Sequence, residues 1–78
     1  MSWTPEIVAE LEVLCLYNLA STQEGIKVHS SAGAERVAAA QRLFEKGLLS
    51  QEDGGYLTSL GLETAAHAHA LLTVLATE

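Results

Sequence analysis

Arg42–Gly61, RLFEKGLLSQEDGGYLTSLG, contains the signals that decide the fold of this chain. Gly47 follows an apolar helical segment, and a glycine there can adopt the left-handed conformation that satisfies the last free carbonyls of a helix. Thr58 has a hydroxyl that can accept a hydrogen bond from the first amides of a second helix. Gly61, inside the first turn of that helix, would allow it to lie close to its neighbour. The stretch therefore predicts two helices separated by a short non-helical segment.

The segment between these helices is predicted to be a β-hairpin. Asp53-Gly54, with Gly55 behind it, can supply the positive backbone angles of a tight primed turn. Leu49–Glu52 and Gly55–Leu57 are then the two arms.

This order resembles the back half of winged-helix domains such as those of the MarR and PadR regulator families: helix, Gly-Leu-Leu, hairpin, then Leu-Thr-x-x-Gly opening a helix. The resemblance implies a winged-helix-like fold, and it says little about what the fold binds. The whole sequence, notably Thr22–His29 (TQEGIKVH) and Asp53–Gly61 (DGGYLTSLG), is also similar to a family of small bacterial conserved proteins of unknown function. That second resemblance implies no activity, cofactor or partner.

The N-terminal part is predicted to be a helix that starts at Thr4-Pro5-Glu6, with a capping hydroxyl, a proline that needs no amide partner and an acid at the positive end of the helix dipole. Apolar residues then recur at helical spacing at Ile7, Leu11, Leu14 and Cys15. We interpret Cys15 as a small buried hydrophobe, because no motif pairs it with a histidine.

The segment Ser21–Ser31 is ambiguous. Ser21–Glu24 could be a capping box that begins a short helix, whereas Ile26–His29 alternates apolar and polar residues as a strand does. We favour a short strand that pairs with the hairpin. A helix-turn-helix reader of DNA needs two helices before its wing, so a strand here means that the scaffolding helix is either missing or reduced to a single turn.

The middle helix is predicted to start near Ser31 and to run to Lys46. Its inner side is expected to hold Val37, Ala40 and Phe44, and its outer side Glu35, Ala39, Arg42 and Lys46. If the domain binds DNA, the outer side is the recognition surface, and the residues expected to form the nucleic-acid face are Lys27, Gln41, Arg42 and Lys46. The acidic wing tip, Glu52 and Asp53, argues against that function because two carboxylates would repel phosphates.

Composition indicates one small domain covering residues 1–78. The 78 residues are 49% hydrophobic and 18% charged, with a formal charge of −6 and a pI near 4.8. This acidity argues against general binding to nucleic acid or to anionic membranes. All four cations nevertheless lie between positions 27 and 46, where two glutamates leave a net +2. The N-terminus has no signal-peptide pattern. The histidines and the glutamate of the last helix argue against a membrane span. We therefore expect a cytoplasmic protein.

The last helix, predicted from Ser59 to about Ala76, is apolar nearly all round. One stripe holds Leu60, Ala68, Leu71 and Leu75 and is expected to pack on the first helix. The other side is poor in charge, and a helix apolar on both sides is usually buried on both. We therefore predict a two-fold homodimer whose dimer face comprises Leu62, Ala66, Ala70 and Val74. The alternative is that these alanines are simply good helix formers on an exposed face.

No catalytic, cofactor-binding or metal site is predicted. His67 and His69 are two residues apart and point to nearly opposite sides of a helix, so they cannot share an ion; Glu63 and His67, with His29, could do so only if the fold brought them together. No phosphate loop or nucleophile–base motif is present. The sequence thus predicts a non-enzymatic interaction domain that self-associates through its last helix and binds a protein partner, with a small winged-helix DNA-binding regulator as the alternative.

Overall fold

The fold is α+β, as predicted, with three helices and one small antiparallel sheet. The computed structural model describes residues 3–20 and 25–76. In chain order the elements are α1 (Pro5–Leu14), β1 (Ile26–Lys27), a single 3-10 turn (Ser30–Ala32), α2 (Ala34–Glu45), β2 (Leu49–Gln51), β3 (Gly54–Leu57) and α3 (Ser59–Leu75). The predicted order of helix, strand, helix, hairpin and helix is confirmed, and the sheet order is β1-β3-β2.

Helix α1 begins as its sequence predicts. Thr4 Oγ1 accepts a hydrogen bond from the Ile7 amide at 3.2 Å, and Pro5 occupies the first turn. The helix ends at Leu14, with Cys15 as its C-terminal cap.

The segment before α2 contains the short strand that we favoured. Strand β1 pairs with β3, Ile26 opposite Gly55. The prediction of a capping box at Ser21–Glu24 lies outside the described residues. Where a helix-turn-helix has its scaffolding helix, the chain makes only the 3-10 turn, in which the Ala32 amide donates to the His29 carbonyl at 2.9 Å.

Helix α2 starts later than predicted. It begins at Ala34 rather than near Ser31, and no side chain caps it. The reason is that the serines belong to the 3-10 turn and that Gly33, with φ of 107°, redirects the chain immediately before the helix. At the other end Gly47 has φ of 85°, its amide donates to the Phe44 carbonyl at 3.0 Å, and the Leu48 amide donates to the Leu43 carbonyl at 2.9 Å. These bonds are those of a Schellman motif.

The hairpin arms match the prediction to within one residue, but the turn does not. Positive φ angles occur at Gly54 and Gly55, and not at Asp53. Gly54 instead lies within β3, between its partners on both neighbouring strands, and a Cβ on it would come 2.6 Å from the Ile26 carbonyl oxygen. The glycine is thus required for close strand approach, and Glu52-Asp53 form the connection.

The start of α3 is fixed to the end of α2 by Thr58. Its Oγ1 accepts from the Gly61 amide at 3.0 Å and donates to the Gly47 carbonyl at 2.6 Å, while its own amide donates to the Leu48 carbonyl at 3.0 Å. Gly61 lies directly on Leu48, as the close approach predicted from sequence requires. The capping and packing predictions for this helix start are therefore confirmed.

The core lies where α1, α2 and the N-terminal half of α3 meet over the sheet. Its buried apolar side chains are Ala9, Val13, Leu14, Tyr17, Val28, Ala39, Ala40, Leu43, Leu48, Leu49, Ala65 and Ala68. Both α3 residues of this core, Ala65 and Ala68, are alanines, so the helix backbone approaches closely, and most larger side chains of α3 are exposed.

Candidate protein-interaction surfaces

All four cations of the chain form ion pairs with carboxylates of its own fold. Lys27 lies 3.9 Å from Asp53, and Arg36 lies 3.3 Å from Glu12. Arg42 and Lys46 both pair with Glu10. Every positive side chain therefore has its charge at least partly compensated before any partner arrives.

Glu10 forms the most buried of these ion pairs. Its side chain is only 8% exposed, and it receives Arg42 Nε at 3.2 Å on one oxygen and Lys46 Nζ on the other. Arg42 also donates to the Glu6 carbonyl at 3.1 Å. A buried carboxylate needs this pairing, since an uncompensated charge inside a protein is costly. The cluster thus joins α1 to α2.

The predicted outer side of α2 consequently faces α1. Ala39 is fully buried, whereas Phe44, expected inside, is 37% exposed. Ala40 is buried, Val37 packs against the core and Glu35 is exposed, as predicted. The prediction was wrong for Ala39, Arg42 and Phe44, because α1 packs on the side that carries Ala39 and Arg42 and supplies Glu10 to Arg42 and Lys46. Of the four residues expected to form a nucleic-acid face, Gln41 is exposed without belonging to this cluster, and Lys27 lies on the sheet beside Asp53.

An apolar groove of about 530 Å³ runs between α1 and the C-terminal half of α3. Nearly all of its surface is apolar, and the Glu12–Arg36 pair lies at its border. The apolar side chains that line it are Trp3, Val8, Leu11, Cys15, Ala68, Leu71, Leu72 and Leu75. We call this surface the α1–α3 groove.

Trp3 and Leu11 also line a second apolar cleft of about 370 Å³, which continues toward Ile7 and Leu14. Trp3 is 66% exposed between the two. Such a contiguous apolar surface, bordered by polar residues, is typical of a site for another molecule.

Sequence reasoning expected one stripe of α3, formed by Leu60, Ala68, Leu71 and Leu75, to pack on α1. Only Ala68 of the stripe expected to pack on α1 is buried, whereas Leu60, Leu71 and Leu75 are exposed, so that assignment was wrong for the larger side chains. The length of the helices contained the signal: the 17 residues of α3 span about 25 Å and the 10 of α1 about 15 Å, so α1 cannot cover α3 along its whole length.

The residues predicted as a dimer face lie on the other side of α3. Ala66, Ala70 and Val74 are exposed, and Leu62 is half-buried. The helix therefore presents two apolar surfaces to solvent, this alanine-rich face and the α1–α3 groove.

A third concave surface lies between α2 and β2 and has a different character. This α2–β2 groove, of about 580 Å³, combines two apolar side chains with amide, hydroxyl and acidic groups. Its lining residues are Val37, Gln41, Phe44, Ser50, Gln51, Glu52 and Asp53.

Two titratable groups within the described residues, Cys15 and Tyr17, have raised pKa values. Burial raises the pKa of the Cys15 thiol, which disfavours the nucleophilic thiolate. Burial, with a smaller effect of the Asp53 charge, raises the pKa of Tyr17 to about 12, and its hydroxyl donates to the Gly55 carbonyl at 3.0 Å. Within residues 3–20 and 25–76, no three His, Cys, Asp or Glu side chains are grouped to hold a metal ion.

The fold and its surfaces define a small α+β domain whose unusual features are exposed apolar grooves and internally paired cations. The chain belongs to a family of unknown function, DUF5669, whose family model matches residues 1–76. Comparison with curated proteins and with solved structures gave no match. None of the described helices is both long and apolar enough to cross a membrane.

Proposed function

We propose that this chain is a non-enzymatic interaction domain that self-associates through its last helix and binds a protein partner with another surface. The observation that supports self-association is the α1–α3 groove, because Trp3, Leu72 and Leu75 leave large apolar side chains in water there. In a two-fold dimer each of these side chains is buried twice, once per protomer.

The apolar surface in the groove is large enough to offset much of the cost of forming a dimer. Leu72 is 53% exposed and Leu75 73% exposed, so burying each would contribute about 1–2 kcal/mol, and Trp3 somewhat more. Counted on both protomers, with Val8 and Leu71, the apolar contribution is on the order of 10 kcal/mol, which is comparable to the cost of association. We favour the α1–α3 groove over the alanine-rich face because it offers larger side chains and a concavity to receive them.

Two neighbouring residues provide a matched test. Leu75 lines the groove and is 73% exposed, and Val74 is 71% exposed outside it. Leu75→Glu should convert a dimer to a monomer in light scattering, and Val74→Glu should leave the dimer intact, with circular dichroism checking that both variants are folded. The reverse result would assign the dimer to the alanine-rich face. If the parent protein is monomeric at concentrations well above the dissociation constant of a typical stable dimer, self-association is refuted.

The alternative function, a winged-helix DNA-binding regulator, has less support. Arg42 and Lys46, on which it depended, are bound to Glu10, and the exposed part of α2 carries Gln41, Phe44 and Glu45 instead. Titration of duplex DNA at low and moderate salt tests this alternative directly, because phosphate contacts make binding strongly salt-dependent. The bacterial, cytoplasmic setting expected from the sequence remains a prediction.

A further inference from the structure

We propose that the α2–β2 groove binds an extended, cationic segment of a partner protein that also carries an aromatic or aliphatic side chain. This inference rests on the partner-binding half of the proposed function and is independent of self-association. The inference names the surface that binds the protein partner and the chemical class of that partner.

The charge of the groove favours a cation. Glu52 forms no ion pair with any described residue, and all four cations of the chain are engaged with other carboxylates. Asp53 is only loosely compensated, since Lys27 lies 3.9 Å away and its side chain is 66% exposed, while that of Asp53 is about half-exposed. With a formal charge of −6 on the whole chain, the groove would attract a Lys- or Arg-containing segment and repel a phosphate backbone.

The apolar part of the groove offers an anchoring position. Phe44 is 37% exposed and Val37 is half-buried, and both project from α2 toward the same concavity. An aromatic or aliphatic side chain placed there would remove apolar surface of both molecules from water. Gln41 and Gln51, on opposite walls, can then donate or accept hydrogen bonds at the backbone of the bound segment.

The sheet topology favours an extended ligand. β2 is an outer strand, so one side of its backbone has no neighbouring strand within the described part of the chain. Exposed strand edges commonly accept an additional strand from a partner, in which backbone hydrogen bonds provide affinity and side chains provide selectivity. Ser50 and Gln51 belong both to this strand and to the groove lining, so a segment paired with β2 would lie beside Phe44.

The probe for this proposal is a short lysine-rich peptide containing one phenylalanine, titrated into the full chain while amide NMR shifts are recorded. Two control peptides replace the phenylalanine by glycine or the lysines by glutamates. We expect the first peptide to shift the amides of Gln41, Ser50 and Gln51, and both controls to bind more weakly.

Three variants locate the site. Glu52→Gln should weaken binding about two- to fivefold, as for an exposed ion pair, and Phe44→Ala about tenfold, as for an interface anchor. Glu63→Gln removes the same charge from α3, where Glu63 is also without an ion pair to a described residue, and should leave affinity unchanged.

Several results would overturn the proposal. If Glu52→Gln and Glu63→Gln weaken peptide binding equally, the peptide is attracted only by the net charge of the protein. Amide shifts confined to the α1–α3 groove would place the peptide at a different surface. The absence of binding by any peptide would also refute the proposal. Shifts of the α2–β2 groove by duplex DNA but not by the peptides would identify a nucleic-acid ligand. Light scattering of the same samples separates the two hypotheses: a dimer without peptide binding refutes only this inference, and a monomer that binds the peptide refutes only self-association.

Discussion

Gly61→Ala is the substitution for which helix propensity and packing make opposite predictions. Gly61 lies in the first turn of α3, and exchanging a helical glycine for alanine ordinarily stabilises a helix by about 1 kcal/mol. Here the new Cβ would lie 1.9 Å from the Leu48 carbonyl oxygen and 2.9 Å from its carbon. Real Cβ contacts are not closer than 3.0 Å, so α3 and Leu48 must separate by more than 1 Å.

That separation affects bonds as well as packing. The Leu48 carbonyl accepts from the Thr58 amide, and the Leu48 amide completes the Schellman motif, so moving Leu48 weakens two hydrogen bonds worth about 1 kcal/mol each. Overpacking a filled position costs typically about 1–3 kcal/mol more. After subtracting the gain in propensity, we expect the free energy of unfolding to fall by about 3 kcal/mol, a large part of the roughly 4–12 kcal/mol available to a chain of this size.

Urea unfolding followed by circular dichroism measures this loss, with Gly47→Ala as control. Gly47 has φ of 85°, and a Cβ added to it would meet no heavy atom within 4 Å beyond its chain neighbours, so the same chemical change there adds only backbone strain, about 1 kcal/mol. A Gly61→Ala protein as stable as the parent, or more stable, would refute the close approach of α3 to Leu48. Gly61 has no positive φ, so alanine adds no backbone strain there, and a loss no larger than that of Gly47→Ala would contradict the crowding calculated for Gly61.

Two further predictions concern buried polar groups. Glu10→Gln should lower the free energy of unfolding, measured with urea, by about 2 kcal/mol, because it leaves two partly buried cations without their carboxylate. The control Glu12→Gln removes a carboxylate from an exposed ion pair and should lower it by less than about 1 kcal/mol. Equal losses in the two variants would contradict the argument from burial. Tyr17→Phe should cost about 1 kcal/mol near neutral pH through loss of the hydrogen bond to Gly55. Because the folded-state pKa of Tyr17 is raised from 10.0 to about 12, the parent loses stability as pH rises through that interval. The variant should lack this alkaline loss, and parallel pH profiles would contradict the assignment.

Local signals in the sequence correctly predicted the start of α1, the end of α2, the start of α3 and, to within one residue, the two arms of the hairpin. The capping bonds of Thr4, Gly47 and Thr58 join residues three positions apart, so these caps follow from residue type and spacing alone. The bonds of Thr58 to Gly47 and Leu48 span about ten residues and were not predicted. The turn was misplaced by one residue because Gly54 is needed for its contact with Ile26, a residue of a different strand. Such a requirement is not contained in the local pattern.

The positions of the candidate functional surfaces depend on how the helices pack against each other, so local sequence signals could not predict them. Helical periodicity places Arg42 and Lys46 on one side of α2, but it does not say which neighbour covers that side. The charge distribution held a usable signal: α1 is rich in glutamate and α2 with its cap carries three of the four cations, so ion pairs between these helices were to be expected. The exposure of the groove leucines was not predicted for a similar reason, since hydrophobicity alone does not distinguish a side chain buried in the fold from one exposed on its surface.

Because of the hydrogen bonds of Thr58, the relative position of α2 and α3 does not depend on the length of the hairpin. Because Thr58 joins the Gly47 carbonyl to the Gly61 amide, the base of the hairpin is closed independently of its tip. Insertions between Glu52 and Asp53 would then lengthen the hairpin without moving α3 relative to α2. Relatives of this chain could therefore diversify the hairpin tip by insertion and deletion during evolution while inheriting an unchanged helical scaffold.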